Sequence, residues 1–282
     1  MRVRTVVAAV VALLLLAGLA LGGAAVYFTA TRQPAPWSDS CTATVGADSV
    51  RIDPDQARYA AIIAGVASRR GLPPRAVSIA LATAMQESGL RNLDYGDRDS
   101  LGLFQQRPSQ GWGTAAQLQD PYYAANAFFA AMEEVKGWET ADIGDVAQKV
   151  QKSGYPDAYD KHVPKARLLA SALSGETPAG FVCTASSLPA GDAAGHAAFL
   201  TKTLPTTAVV TTSGSTVTVR TTDAAGAWSA ASIAVADAET HGVRSVSVAG
   251  RTWRPTSVLW PFGASWGDGA SGDAKAVVVE LA

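Results

Sequence analysis

From Val6 to Phe28 the chain runs for 23 residues without a charge, VVAAVVALLLLAGLALGGAAVYF, after Arg2 and Arg4 and with no further charge until Arg32. At ~1.5 Å per residue a helix of that length reaches roughly 34 Å, enough for a hydrocarbon core of ~30 Å. Arginines ahead of the run favour an N-terminus kept in the cytoplasm. Residues 1–30 are therefore expected to be a membrane anchor, inserted through 6–28 as a single pass, with the C-terminal bulk extracytoplasmic. The alternative is a signal peptide cleaved near Gly22-Gly23-Ala24, giving a secreted protein, although such apolar regions ordinarily span only about 7–15 residues. Either way, the chain past residue 32 is expected outside the cytoplasm.

That placement gives the two cysteines a meaning. Cys41 and Cys183, separated by 142 positions, are expected to form one disulfide, as cysteine pairs in exported proteins commonly do. The remaining composition excludes several classes. With 23 Lys+Arg against 24 Asp+Glu the net charge is −1, which leaves no basic footprint for nucleic acid. Hydrophobic residues at 48% exclude wholesale disorder. Three histidines far apart in sequence, His162, His196 and His241, read as structural, and no metal or other cofactor is expected. A transporter needs several apolar spans where one is present.

Beyond the apolar run the organisation is read as follows. Residues 31–52, rich in Pro, Ser and Thr, are expected to be a linker. Asp53-Pro54 opens a helix that stops at Gly71, with Asp as N-cap and Arg69 and Arg70 in its last turn. A second helix, near-continuously apolar, runs from Pro73-Pro74 to Gly89 and is expected to be buried on most sides. More helices are expected over about 121–135, 142–153 and 160–173. After Cys183 the texture changes: a helix at 191–204, a hairpin over 206–222 around Ser213-Gly214-Ser215, helical composition at 224–240, and strands at 243–249 and 276–281. The expected architecture is a mainly α domain over 53–183 and a small α+β domain over 190–282, behind one N-terminal transmembrane helix.

The stretch that carries chemistry is Glu87 to Pro108, ESGLRNLDYGDRDSLGLFQQRP. Glu87 sits at the last turn of the buried helix, where burial and the negative end of the helix dipole both disfavour a carboxylate. A carboxyl kept protonated near neutral pH is what a general acid needs to protonate a leaving oxygen. Glu87-Ser88, followed 18 positions after Glu87 by the end of Gly102-Leu103-Phe104-Gln105 and then by Pro108, resembles the signature of lytic transglycosylases, the SLT branch of the lysozyme-like superfamily. Asp120-Pro121 and Asn126 resemble that family's next helix start. The resemblance covers residues 55–175. Phe104 stands where the family has Met, Asp99 where it often has Gly, and the Ala-Tyr-Asn block is replaced by Ser153-Gly154-Tyr155-Pro156.

What the resemblance implies is a lysozyme-like fold for 53–183 and a catalytic Glu87, with Ser88, Gln105, Tyr95 and Tyr155 contacting substrate, on a peptidoglycan glycan strand. Glu87 is expected to open onto the largest groove of the domain, with Gln105 on the same wall and Tyr155 or Tyr95 within reach. The implied reaction cleaves the MurNAc–GlcNAc β-1,4 bond with one carboxyl and leaves a 1,6-anhydromuramyl end. Two other readings stay open. Asp97 or Asp99 could serve as a second carboxylate and make the protein a lysozyme-type hydrolase, since hydrolysis takes two such groups. Alternatively, it is a non-catalytic wall-binding or scaffold protein. Nothing in residues 190–282 carries readable chemistry.

Overall fold

The computed structural model describes residues 38–153, 156–256, 264–270 and 272–282, with positions 13–16, 18 and 22–23 of the N-terminal segment. The chain divides into two units, residues 1–38 and residues 39–282. Among the described residues no helix is long and apolar enough to cross a membrane, and most of the 6–28 run lies outside them.

Residues 39–282 correct the expected architecture. Over all described residues helix accounts for 46% and strand for 19%, and the strands form two antiparallel sheets. The expected mainly α lysozyme-like domain with a separate small C-terminal α+β domain is therefore not the fold: residues 39–282 form one α+β unit, while the expected transmembrane helix falls mostly outside the described residues. The largest local change is at residues 40–52, where a hairpin takes the place of the expected linker. Strands β1 (Ser40–Val45) and β2 (Asp48–Ile52) pair with Cys41 opposite Ile52, and Gly46 takes φ +61° in the turn. Strand β3 (Phe181–Thr184) joins the other edge of β1 in the order β2-β1-β3. The small residues of β1 conceal its character: Cys41 and Ala43 face inward, 1% and 0% exposed, but Thr42 and Thr44, which alternate with them, read locally as a tether.

Helix α1 (Pro54–Arg69) starts as its sequence dictates, with Asp53 accepting from the Gln56 N–H at 2.9 Å and the Gln56 side chain accepting from the Asp53 N–H at 3.0 Å. Helix α2 (Pro74–Glu87) is the centre of the helical part, and every residue from Ala76 to Ala84 is buried. It packs against α1 and against the later helices α4 (Pro121–Glu133), α5 (Ile143–Gln151) and α6 (Val163–Leu173); a short α3 (Ala115–Gln119) precedes α4. A nearly all-apolar surface lets α2 bury every side from Ala76 to Ala84, and Ser78 and Thr83 return their hydroxyls to the helix's own carbonyls.

The C-terminal part begins with α7 (Ala193–Thr203) and builds a six-stranded sheet, β4-β5-β9-β6-β7-β8. Its strands are β4 (Val209–Ser213), β5 (Thr216–Arg220), β6 (Val243–Val248), β7 (Arg251–Trp253), β8 (Trp266–Asp268) and β9 (Ala276–Leu281). Helix α8 (Ala224–Ala236) lies between this sheet and helices α1 and α6, which explains why it is apolar all round. The one-turn α9 (Ala238–His241) follows it. The two sheets meet through tryptophan: the indole N–H of Trp253 donates to the Cys183 carbonyl at 3.2 Å, and that of Trp266 to the Phe181 carbonyl at 2.9 Å. Cys41 and Cys183 face each other across β1 and β3 with Cα atoms 4.0 Å apart, and they form the expected disulfide.

Candidate active site

Helix α2 ends where the chemistry begins. Gly89 (φ +67°) and Leu90 (φ 60°) turn out of the helix, and the Leu90 N–H closes back on the Ala84 carbonyl at 2.9 Å. That termination leaves Glu87 as the last helical residue and Ser88 as the cap. The Ser88 hydroxyl, buried, lies 2.8 Å from the Leu103 carbonyl and 3.0 Å from that of Ala84, and it accepts from the Arg91 N–H at 3.1 Å. Ser88 thus clips the Gly102–Gln105 segment to the end of α2. In this structure its hydroxyl is engaged by protein atoms.

That segment is a tight hairpin, closed by reciprocal backbone bonds between Leu101 and Gln106. Gly102 takes φ +75°, and a Cβ there would lie 2.4 Å from the Leu118 carbonyl oxygen, so only glycine fits. Phe104, buried, stacks on Phe128 of α4 with ring centroids 4.6 Å apart. Gln105 sits at φ 48°, an uncommon conformation for a residue with a side chain. Its amide donates to the carbonyls of Gly102 (3.2 Å) and Tyr95 (3.3 Å), so in this structure it fixes the wall of the loop. Tyr95 is 68% exposed.

Glu87 is half-buried, and its partner is a residue the sequence reading passed over. The hydroxyl of Tyr159 donates to Glu87 Oε1 at 2.6 Å. Tyr159 is fully buried between the one-turn 3-10 helices Pro156–Ala158 and Asp160–His162. Tyr155, the expected tyrosine, lies outside the described residues. The missed signal was Ala158-Tyr159-Asp160, one residue away from the Ala-Tyr-Asn block. Gln151, at the end of α5, also hydrogen-bonds the Glu87 carboxyl and donates to the Phe104 carbonyl at 2.7 Å. Burial raises the pKa of Glu87, against the opposing pull of the Tyr159 and Gln151 hydrogen bonds. Burial, and then the bond to Glu87, raise that of Tyr159, which keeps its proton and remains a fixed donor.

The two candidate second carboxylates have separate fates. Asp99 accepts from Arg107 Nε (2.8 Å), the Ser109 N–H (2.8 Å) and the Ser109 hydroxyl (3.0 Å). These bonds, that of Arg107 foremost, hold its pKa far below the ordinary carboxylate range. It is a brace for the loop. Asp97 has a side chain 92% exposed and lies 3.9 Å from Arg98. Glu87 lines neither of two surface cavities, one of about 350 Å³ bounded by Ser68, Val77, Leu204 and Thr222 and one of about 300 Å³ bounded by Asp142, Asp160 and Arg167.

Metal-ligating side chains converge elsewhere, at His196, Asp237 and His241, whose ligand atoms lie within 4.8 Å of one another. Each imidazole turns Nδ1 to Asp237 Oδ2, at 2.8 and 2.6 Å, and Arg58 Nε holds Oδ1 at 2.9 Å. A cation would have to displace both ring protons beside a guanidinium, so this donor set fits a hydrogen-bond network better than a metal centre.

No protein-family model matches the chain, and no curated protein matches it.

Proposed function

We propose that the protein is an extracytoplasmic peptidoglycan lytic transglycosylase with Glu87 as its single catalytic carboxyl. The observation that carries this reading is the Glu87–Tyr159 pair: a half-buried carboxyl with a raised pKa, oriented at 2.6 Å by a tyrosine that stays protonated. The Glu-Ser and Gly-Leu-Phe-Gln blocks that resemble the transglycosylase signature are joined through Ser88 and Leu103 beside it. The disulfide supports the extracytoplasmic setting.

In the proposed reaction Glu87 gives its proton to the glycosidic oxygen, and the MurNAc–GlcNAc bond breaks. The resulting carboxylate takes the proton of the sugar's own 6-hydroxyl, whose oxygen closes onto C1. The product is a 1,6-anhydromuramyl end; no water is consumed, and Glu87 is protonated again. A positive centre developing at C1 is met by the substrate's N-acetyl group. Asp99, already holding three donors, favours this one-carboxyl route over the hydrolase reading.

A digest of purified peptidoglycan analysed by mass spectrometry tests the reading. Wild type should release anhydromuropeptides, Glu87→Gln should lose at least about a thousandfold in rate, and Asp99→Asn should keep the product type. Reducing ends 18 mass units heavier, lost in Asp97→Asn or Asp99→Asn, would make the protein a hydrolase. No release by wild type would leave the scaffold reading.

A further inference from the structure

Tyr95 is the only exposed aromatic residue among the described ones. A large aromatic face kept in water gains free energy once a ligand covers it. The loop that carries it, 94–98, is anchored at both ends. The Leu93 carbonyl accepts from the Gly102 N–H and from the Gln119 amide, each at 2.7 Å, and Asp99 is braced on Arg107 and Ser109. Between those anchors, the one hydrogen bond among the described residues that joins the loop to the 101–106 hairpin runs from the Gln105 amide to the Tyr95 carbonyl, at 3.3 Å.

Gln105 is built into that loop. Its Nε2 donates both to Tyr95 and to the Gly102 carbonyl, so both amide protons are taken. Its Oε1 lies against Gly96, where a Cβ would come within 1.9 Å of it and within 2.7 Å of the Ser100 carbonyl oxygen. Only glycine lets the loop close on this amide. The Gln105 backbone, at φ 48°, holds a conformation that persists where the surroundings fix it. The same hairpin also locates the acid. Two residues before Gln105, the Leu103 carbonyl receives the hydroxyl of Ser88, the neighbour of Glu87, at 2.8 Å. Cα atoms two residues apart lie at most about 7 Å from each other, so one short frame sets both the end of α2 and the mount of Tyr95.

Resting on the glycan-cleaving reading above, we propose that Gln105 is a positioning residue: it mounts Tyr95 as a stacking platform for a pyranose ring that flanks the bond cleaved at Glu87. The C–H face of a pyranose is apolar and slightly positive, which suits the negative face of the phenol ring. Gln105 then serves recognition without touching the sugar, in place of the direct contact expected of it. Gly96 is the residue that makes the mount possible.

Two measurements with soluble glycan strands stripped of their peptides test this, both in the full-length Glu87→Gln protein so that the strands stay whole. Tyr95→Ala should weaken binding roughly tenfold, and Tyr95→Phe, which keeps the ring face, should bind as the parent does. Gln105→Leu should weaken binding by a similar factor, yet weaken it no further in a Tyr95→Ala background, since both act through one ring. Losses that multiply would place Gln105 on the sugar itself and overturn the proposal, as would a Tyr95→Ala protein that binds like its parent. Nitration by tetranitromethane, mapped by peptide mass spectrometry, needs no change in the loop. The strands should shield Tyr95, and a nitration rate that they leave unaltered overturns the platform. Cleavage fails separately: strands that shield Tyr95 in a protein whose wild type releases no anhydro ends keep the platform and overturn the cleavage reading. Anhydro ends from wild type, with Tyr95→Ala binding undiminished, overturn the platform alone.

Discussion

At the scale of single residues, the site depends on where Tyr159 directs its proton. Its hydroxyl bond favours the ionised form of Glu87, so Tyr159→Phe should raise the Glu87 pKa further. A general acid loses activity as the pH rises through its pKa, so the alkaline limb of the pH–rate profile should move upward in Tyr159→Phe. The rate at the optimum should fall roughly tenfold as the carboxyl loses its orientation. A limb that stays in place would show that Tyr159 does not contact the working carboxyl. The place of Glu87 at the end of a buried apolar helix was legible in the sequence, because the helix's apolar run and its Gly89 stop are local features. Tyr159 was not, because its contact spans 72 positions and rests on short 3-10 turns that have no periodicity. Ser88 and Gln105 were singled out in the sequence for substrate contact. Their observed partners, backbone carbonyls of the same loop, appear only once the chain closes.

Among the elements, caps and turns were the most readable. Asp53-Pro54 opened α1, Gly71 and Gly89 closed α1 and α2, and Gly214 marked the β4–β5 turn, each because one residue type meets one backbone requirement. The three-stranded sheet was not readable, since β1 meets β3 through residues separated by 142 positions and its inward residues are small. The disulfide fixes that distant pairing. Replacing both cysteines with serine should lower stability by on the order of 4–5 kcal/mol in the chain-entropy account, as measured by denaturant unfolding. If the loss is below about 1 kcal/mol, the ladder alone holds β1 to β3.

Across the whole molecule, the two sheets are joined by a pair of indole donors from the paired strands β7 and β8. Trp253 and Trp266 reach the carbonyls of Cys183 and Phe181, alternate residues of β3, and Trp266 meets Trp228 of α8 edge-on with centroids 5.1 Å apart. Trp253→Phe and Trp266→Phe should each cost about 1–3 kcal/mol, since a buried carbonyl is left without its donor. The C-terminal sheet and the helical part should still melt in one transition, because α8 packs on both. Two separated calorimetric transitions in the wild type would contradict that coupling. Composition announced these tryptophans but not their use; a donor's target cannot be read from its own neighbourhood.

The disulfide also decides how the protein would carry a mechanical load. A pull on the chain ahead of Asp39, resisted at the C-terminus, reaches Cys41 almost at once and crosses the covalent bond to Cys183. Everything between the two cysteines hangs as a closed loop off the line of force. Glu87, Tyr159 and the hairpin that frames them lie inside it, so tension that strains the C-terminal sheet would leave their alignment slack.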